Sequence, residues 1–148
     1  MNVAMVVSHS ESVRITKPVD AVWELVRDPG AWPRWAGDLR NVRVQGDLAP
    51  GALITYTYRG RPVSVTLSAL ERERLLEIAG LEKHYEMRER IVLEADDGST
   101  KVSISMAFEP TARWARVVAP LAVPFKGVLL GRALRRSLRA LQTAVEQT

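Results

Sequence analysis

The stretch from Pro18 to Trp35, PVDAVWELVRDPGAWPRW, constrains the fold of this chain more than any other. Val19, Val22, Leu25 and Val26 recur at three- and four-residue spacing and so share one stripe of a helix. Pro18 suits the first helical position, where its missing N–H is not needed, and Asp20 sits in the first turn, near the positive end of the helix dipole. Asp28-Pro29-Gly30 predicts a hard stop, because the residue before a proline is pushed out of the α region. Trp32-Pro33-Arg34-Trp35 then adds a second, very short helix carrying two indoles too large to leave in water. Before this pair there is one strand signal, Glu11–Lys17, with Val13 and Ile15 on one face. Every other strand signal comes after it.

Those strands are predicted at Leu39–Asp47, Ala52–Arg59, Val63–Leu70, Arg74–Gly80, Glu82–Glu94 and Lys101–Glu109. Pro50-Gly51 and Gly60-Arg61-Pro62 read as turns, and Asp96-Asp97-Gly98 as a tight hairpin. Six consecutive strands joined by short turns predict an antiparallel meander with one buried face. After Pro110 the period changes. Residues 111–125 read as an apolar, proline-punctuated connector, and Lys126–Glu146 as a long helix. Leu130, Leu134, Leu138, Leu141 and Val145 fall on one arc of that helix, with Arg132, Arg135, Arg136 and Arg139 opposite. Ala133, Ser137, Ala140 and Ala144 flank the leucines. Small side chains there leave space beneath the helix, and the facing strands supply Tyr56, Tyr58, Tyr85 and Met87. The expected result is a mostly apolar cavity between sheet and helix, the usual make-up of a small-molecule pocket.

A length of 148 residues is enough for one domain with a real core, taken as residues 1–148, with 1–9 as a loosely ordered N-terminal extension. Absence of cysteine excludes disulfides and thiolate metal sites. The opening MNVAMVVSH lacks a basic n-region and a long apolar core, and no run approaches the ~18 apolar residues of a membrane span. A cytoplasmic location is therefore expected. The net charge of +4 is unevenly placed: from Thr111 onward seven basic residues face one acid, Glu146. That basic helix face is read as solvated, or as a weak contact for an anionic membrane or an acidic partner. Nucleic acid is not expected as a partner, because the basic groups lack interleaved exposed aromatics.

The strand SVRITKP, the VDAVWELVRDPGAWPRW segment, the DDGSTKVSISMAFEP hairpin and the C-terminal leucine helix together resemble the polyketide cyclase/dehydrase branch of the START-like (SRPBCC) superfamily. Its fold is the helix-grip fold shared with the Bet v 1 allergens. The resemblance implies an α+β architecture: a seven-stranded curved antiparallel sheet, two short helices after strand one, and a long C-terminal helix over a hydrophobic cavity. It implies a hydrophobic ligand, polyketide-like or lipid-like. It does not imply one function, since members range from cyclases to carriers. Cyclases of this kind carry a pocket tyrosine after the Trp-Pro helix and an arginine late in the fourth strand. Those positions correspond here to Leu39 and Ala69.

Glu89 is then the main candidate for chemistry. Strand parity groups it with Tyr85, Met87 and Ile91, so it is expected to face the cavity. A carboxylate among apolar walls has its pKa raised, and becomes a serviceable acid or base near neutral pH. Tyr56, Tyr58 and Tyr85 are the candidate donors to a developing enolate oxygen, with Tyr58 and Tyr85 taken as catalytic beside Glu89. The alternative is a wet or arginine-paired Glu89 near the end of the sheet. The expected ligand-contacting set is Trp32, Trp35, Tyr56, Val65, Leu67, Met87, Ile104, Met106, Phe125, Leu130, Leu134 and Ser137. For the two tryptophans a purely core-closing role is the competing reading. His84, of opposite parity, reads as a structural or surface histidine. With His9 the only other histidine, neither a metal site nor any other cofactor is expected. Three readings stay open: a cofactor-independent cyclase or dehydratase, a lipid or quinone carrier, and a protein-binding module. Each is compatible with a monomer or a homodimer.

Overall fold

In chain order the elements are β1 (Val7–Ile15), α1 (Val19–Val26), a 3-10 helix (Pro29–Arg34), β2 (Leu39–Gln45), β3 (Leu53–Tyr58), β4 (Arg61–Glu71), β5 (Leu75–Glu82), β6 (Tyr85–Asp96), β7 (Ser99–Pro110) and α2 (Arg113–Glu146). The computed structural model describes the backbone of residues 7–82, 85–111 and 113–147, and the side chains of residues 8–81, 85–111 and 129–147. The strands form one antiparallel sheet in the order β1-β7-β6-β5-β4-β3-β2. β2 to β7 are the predicted meander, and β1 joins it beside β7. Among the described residues no helix is long and apolar enough to cross a membrane.

Local chemistry explains most of the boundaries. α1 buries Val22, Trp23, Leu25 and Val26. Pro18 stands one place earlier than expected, at the N-cap, where its carbonyl accepts from the Ala21 and Val22 N–H groups. Asp28 ends one helix and starts the next: its Oδ1 accepts from the Gly30 N–H at 3.0 Å, and Pro29 opens the 3-10 turn. Asp97 and Gly98 join β6 to β7 with φ of 45° and 80°, the two positive values that a two-residue hairpin turn matching strand twist requires. Gly98→Ala is expected to cost about 1 kcal/mol, read as a lowered midpoint in urea, because a Cβ is strained at that φ. Arg59 and Gly60 form the corresponding turn between β3 and β4, with φ of 51° and 81°. Pro62, expected in that turn, lies instead in β4 opposite Thr57. β5 pairs with β4 only from Thr66 onward, so no β5 partner needs the missing N–H.

Two larger boundary differences concern the ends of the chain. β1 begins at Val7 rather than Glu11, pairing Ser8, His9 and Ser10 with Ala107, Met106 and Ser105. Polar residues on an edge strand hide such an extension from hydropathy. α2 begins at Arg113, so the predicted connector is helical over most of its length, with Pro120 and Pro124 inside the helix. Each proline removes one backbone hydrogen bond, and a helix of 34 residues has many others.

The core lies between the sheet and the C-terminal half of α2, where Leu134, Leu138, Leu141 and Val145 are all buried. Three polar contacts fix this half along β1. The Arg135 guanidinium donates to Glu11 Oε1 at 2.6 Å, the Gln142 amide to the Arg14 carbonyl at 3.2 Å, and the Thr16 hydroxyl to Glu146 Oε2 at 2.7 Å. Gly131 lets the helix sit close, since a Cβ there would lie 2.7 Å from His9 Nε2. Arg132, Arg136 and Arg139 are exposed.

Candidate functional site

Beneath α2 the sheet and helix do not meet everywhere, and a cavity of about 340 Å³ remains. Its floor follows from strand register. Residues paired across an antiparallel sheet share a face, so Glu89 on β6 stands in one row with Ile78 on β5 and Met106 on β7. The next rows hold Ile91 between Leu76 and Ile104, and Met87 between Gly80 and Phe108. Leu130, Ala133, Leu134 and Ser137 of α2 close the roof. Ala133 and Ser137 are the small residues expected to leave space, whereas Ala140 and Ala144 pack into the core.

The remaining wall comes from the Trp-Pro segment and the strands it packs on. Trp32, Trp35, Ala36, Leu39, Tyr56, Tyr58 and Val63 line it. Tyr58 is 38% exposed and marks the mouth of the cavity. Arg59 lies over its ring, 5.5 Å from the centroid, and is held by Asp38 Oδ2 at 3.0 Å.

Of the residues singled out from sequence, the cavity brings together Glu89, Tyr58, Trp32, Trp35, Tyr56, Met87, Met106, Leu130, Leu134 and Ser137. Val65, Leu67 and Ile104 are sealed in the core, at 1%, 0% and 0% exposure, and are not part of the lining. They are on the expected side of the sheet, but neighbouring side chains cover them. Tyr85, at the first position of β6, is also outside the lining. The Phe125 side chain and His84 lie outside the described residues.

The expected ligand-contacting set lacks Ala36, Val63, Leu76, Ile78 and Phe108; Ile91 and Ala133 are placed on the cavity side but not named as ligand contacts. Parity alone could have found Phe108. Leu39 and Ala69 differ in placement: Leu39 lines the cavity, whereas Ala69 follows a register shift between Leu67 and Ala69 and does not.

Among the described residues, Glu89 is the one acidic or basic side chain in the lining. It keeps some accessible surface because it faces the cavity, yet protein atoms crowd its carboxyl closely enough to desolvate it. Burial raises its pKa from the usual carboxylate value to about 7, with no cation among the described residues offsetting the shift. At neutral pH the group is therefore divided between acid and base forms.

The two indoles differ in their polar edges. Trp32 Nε1 donates to the Val26 carbonyl at 2.9 Å, locking the 3-10 helix onto the end of α1. Trp35 is only 4% exposed, and its Nε1 is buried with no acceptor among the described residues. Leaving such a donor unmade costs about 1–3 kcal/mol. The ring sits at the C-cap of the 3-10 helix, whose backbone holds it by a Trp35 N–H bond to the Trp32 carbonyl at 3.0 Å.

A second depression, about 730 Å³, lies outside α1 between Asp20, Glu24, Arg27, Leu48, Arg72 and Glu73. It is larger, but its wall is charged and partly self-paired, with Arg27 on Glu24 at 2.9 Å. A mostly apolar concave surface with a desolvated carboxyl makes the cavity under α2 the better candidate site.

A family model described as "Polyketide cyclase / dehydrase and lipid transport" matches residues 6–146. No curated protein sequence is significantly similar to the chain. Solved structures share its fold. The Zhui aromatase/cyclase of a Streptomyces species superposes with a TM-score of 0.75 at 17% identity, covering 97% of this chain and 95% of that one. A START superfamily protein from Mycobacterium smegmatis gives 0.74 at 15%, covering 95% and 97%. Truncated norcoclaurine synthase from Thalictrum flavum gives 0.69 at 14%, covering 98% and 96%. At these identities the likeness is one of fold.

Proposed function

The chain belongs to the polyketide cyclase/dehydrase and lipid-transport family, and we propose that its cavity binds a hydrophobic small molecule for a cofactor-independent cyclisation or dehydration. The observation that carries this reading is the Glu89 carboxyl, the one acidic or basic group among the described lining residues, with its pKa raised to about 7. Such a group takes and returns protons at neutral pH. As carboxylate it removes a proton from the carbon beside a ligand carbonyl, leaving an enolate. The enolate carbon bonds to a second carbonyl carbon of the same molecule, and the Glu89 acid protonates the resulting alkoxide. Glu89 then takes a further α-proton and hands it to the departing hydroxyl, which leaves as water as the carbon–carbon double bond forms. Tyr58 is the proposed donor to the transient oxyanion. Tyr85 lies outside the cavity lining and is given no step.

The test begins with native mass spectrometry of freshly purified protein and denaturing extraction of anything bound. The recovered compound, or enolisable ketones of its shape, is then assayed between pH 5 and 9. The rate is expected to rise as pH increases through about 7, because the base form of Glu89 is the reactive one. Ligand binding with no turnover at any pH would remove the enzymatic reading.

A carrier is the second reading, favoured by the exposed Arg132, Arg136 and Arg139 on the outer face of α2. It predicts salt-sensitive binding to anionic liposomes, lost on Arg132→Glu with Arg136→Glu. Liposome binding that survives this charge reversal would count against it.

A further inference from the structure

We infer that the cavity also takes compact lipophilic amines in their ammonium form, with the Glu89 carboxylate as counter-ion and aromatic rings around the cation. This rests on the cavity being a ligand site, not on the acid/base step, and adds a second chemical class of ligand. Two other carboxyls with little exposure show what such a group ordinarily meets. Glu11 is held by Arg135 at 2.6 Å and Glu77 by Arg90 at 3.0 Å. Glu89 stands instead between Ile78 and Met106, and desolvation by burial is what acts on its carboxyl. Trp35 Nε1 is the one side-chain polar atom among the described residues that is both sealed and unpartnered. The Glu89 oxygens have no partner among those residues either, so they are not sealed, and the space they open onto is the cavity.

The walls suit a cation as well as a hydrocarbon. Trp32, Trp35, Tyr56, Tyr58 and Phe108 bring five aromatic rings to the lining, and the face of each ring carries the negative part of its quadrupole. An ammonium group loses hydration on entering such a space, and ring faces together with a carboxylate offset that loss. The attraction between the two charges is stronger here than at the surface, because less water screens it. The carboxylate gains from the same contact: burial disfavours its charged form, and a cation alongside restores it. At about 340 Å³ the cavity is near the lower end of the ~300–1,000 Å³ typical of small-molecule pockets, which suits one or two rings bearing one amine. An alkylammonium group like that of lysine stays charged to about pH 10, so ligand and Glu89 carry opposite charges from about pH 7 upward.

The probes are 2-aminotetralin, its alcohol counterpart 2-tetralol and the hydrocarbon tetralin, titrated calorimetrically into the full chain. Affinity for the amine is expected to rise about tenfold between pH 6 and pH 8, following the ionised fraction of Glu89, while that for tetralin stays level or falls. In Glu89→Gln the affinity ratio of amine to alcohol is expected to drop at least about tenfold at pH 8, with alcohol and hydrocarbon binding within a few-fold of the parent protein. A second readout needs no substitution. At pH 6, in buffers of different ionisation heat, amine binding to the parent protein is expected to release a large fraction of one proton from Glu89, and tetralin binding none. An amine that binds without releasing a proton leaves Glu89 neutral and overturns the counter-ion. An amine that binds no better than the alcohol at pH 8, or a ratio unchanged in Glu89→Gln, overturns the inference while the ligand-site reading stands. Failure of all three probes to bind overturns both.

Discussion

Glu89→Gln is expected to lower turnover about 10²–10⁴-fold while leaving ligand affinity within a few-fold of the parent protein. Glutamine keeps the shape and the polar character of the side chain but cannot exchange a proton, so the change isolates proton transfer from packing. Neighbours across the row, Ile78 and Met106, contribute no group to take over the role. His9 and Glu11 on β1 stand opposite Met106 and Ile104 on β7. They are bonded to each other at 2.9 Å, and Glu11 is held by Arg135. Turnover and affinity measured together decide the matter. A variant that binds and turns over normally would show that Glu89 is a spectator.

The same carboxyl makes stability depend on pH with an unusual sign. Its pKa is about 7 in the folded protein and near 4.5 in the unfolded chain, so between these values the folded state holds more protons. Stability from this group is therefore full below about pH 4.5, falls as pH rises, and levels off above about 7. By the usual conversion the fall is at most about 3 kcal/mol, and less to the extent that cavity water screens the group. Glu11, Glu24 and Glu146 act the other way: ion pairs and hydrogen bonds lower their pKa values, so their contribution is lost as pH falls below the ordinary carboxylate range. Comparing Glu89→Gln with the parent protein separates the two. Urea unfolding at pH 5 and pH 8 is expected to show the variant gaining relative stability at pH 8. Equal differences at both pH values would mean that Glu89 is solvated in the folded protein.

The hairpin turns, the buried stripe of α1 and the leucine arc of α2 were legible because each is a local rule. Asp97-Gly98 can adopt positive φ, the Val22, Leu25 and Val26 spacing repeats with the helix, and the leucines from Leu130 to Leu141 do the same. Their sum, strand then short helices then meander then long helix, implied the family, and the family match over residues 6–146 bears that out. Boundaries were less legible where tertiary contacts overrule local preference. The polar start of β1 is a strand because β7 offers it a ladder.

For the cavity, sequence determined the side of the sheet on which each residue stands, since side chains alternate along a strand. It could not determine which residues on that side are covered and which stay open. Val65, Leu67 and Ile104 have the right parity but are not in the cavity lining, whereas Ile78 and Leu76 on β5, themselves nearly buried, are. That depends on where α2 crosses the sheet, which the Arg135–Glu11, Gln142–Arg14 and Thr16–Glu146 contacts set across more than a hundred residues of chain. The different fates of the Trp32 and Trp35 N–H groups belong to the same class. Both indoles look alike in sequence, and only the packed structure decides that one meets a carbonyl and the other meets none. Periodicity reports direction along one element, while enclosure and unmet hydrogen bonds are properties of several elements at once.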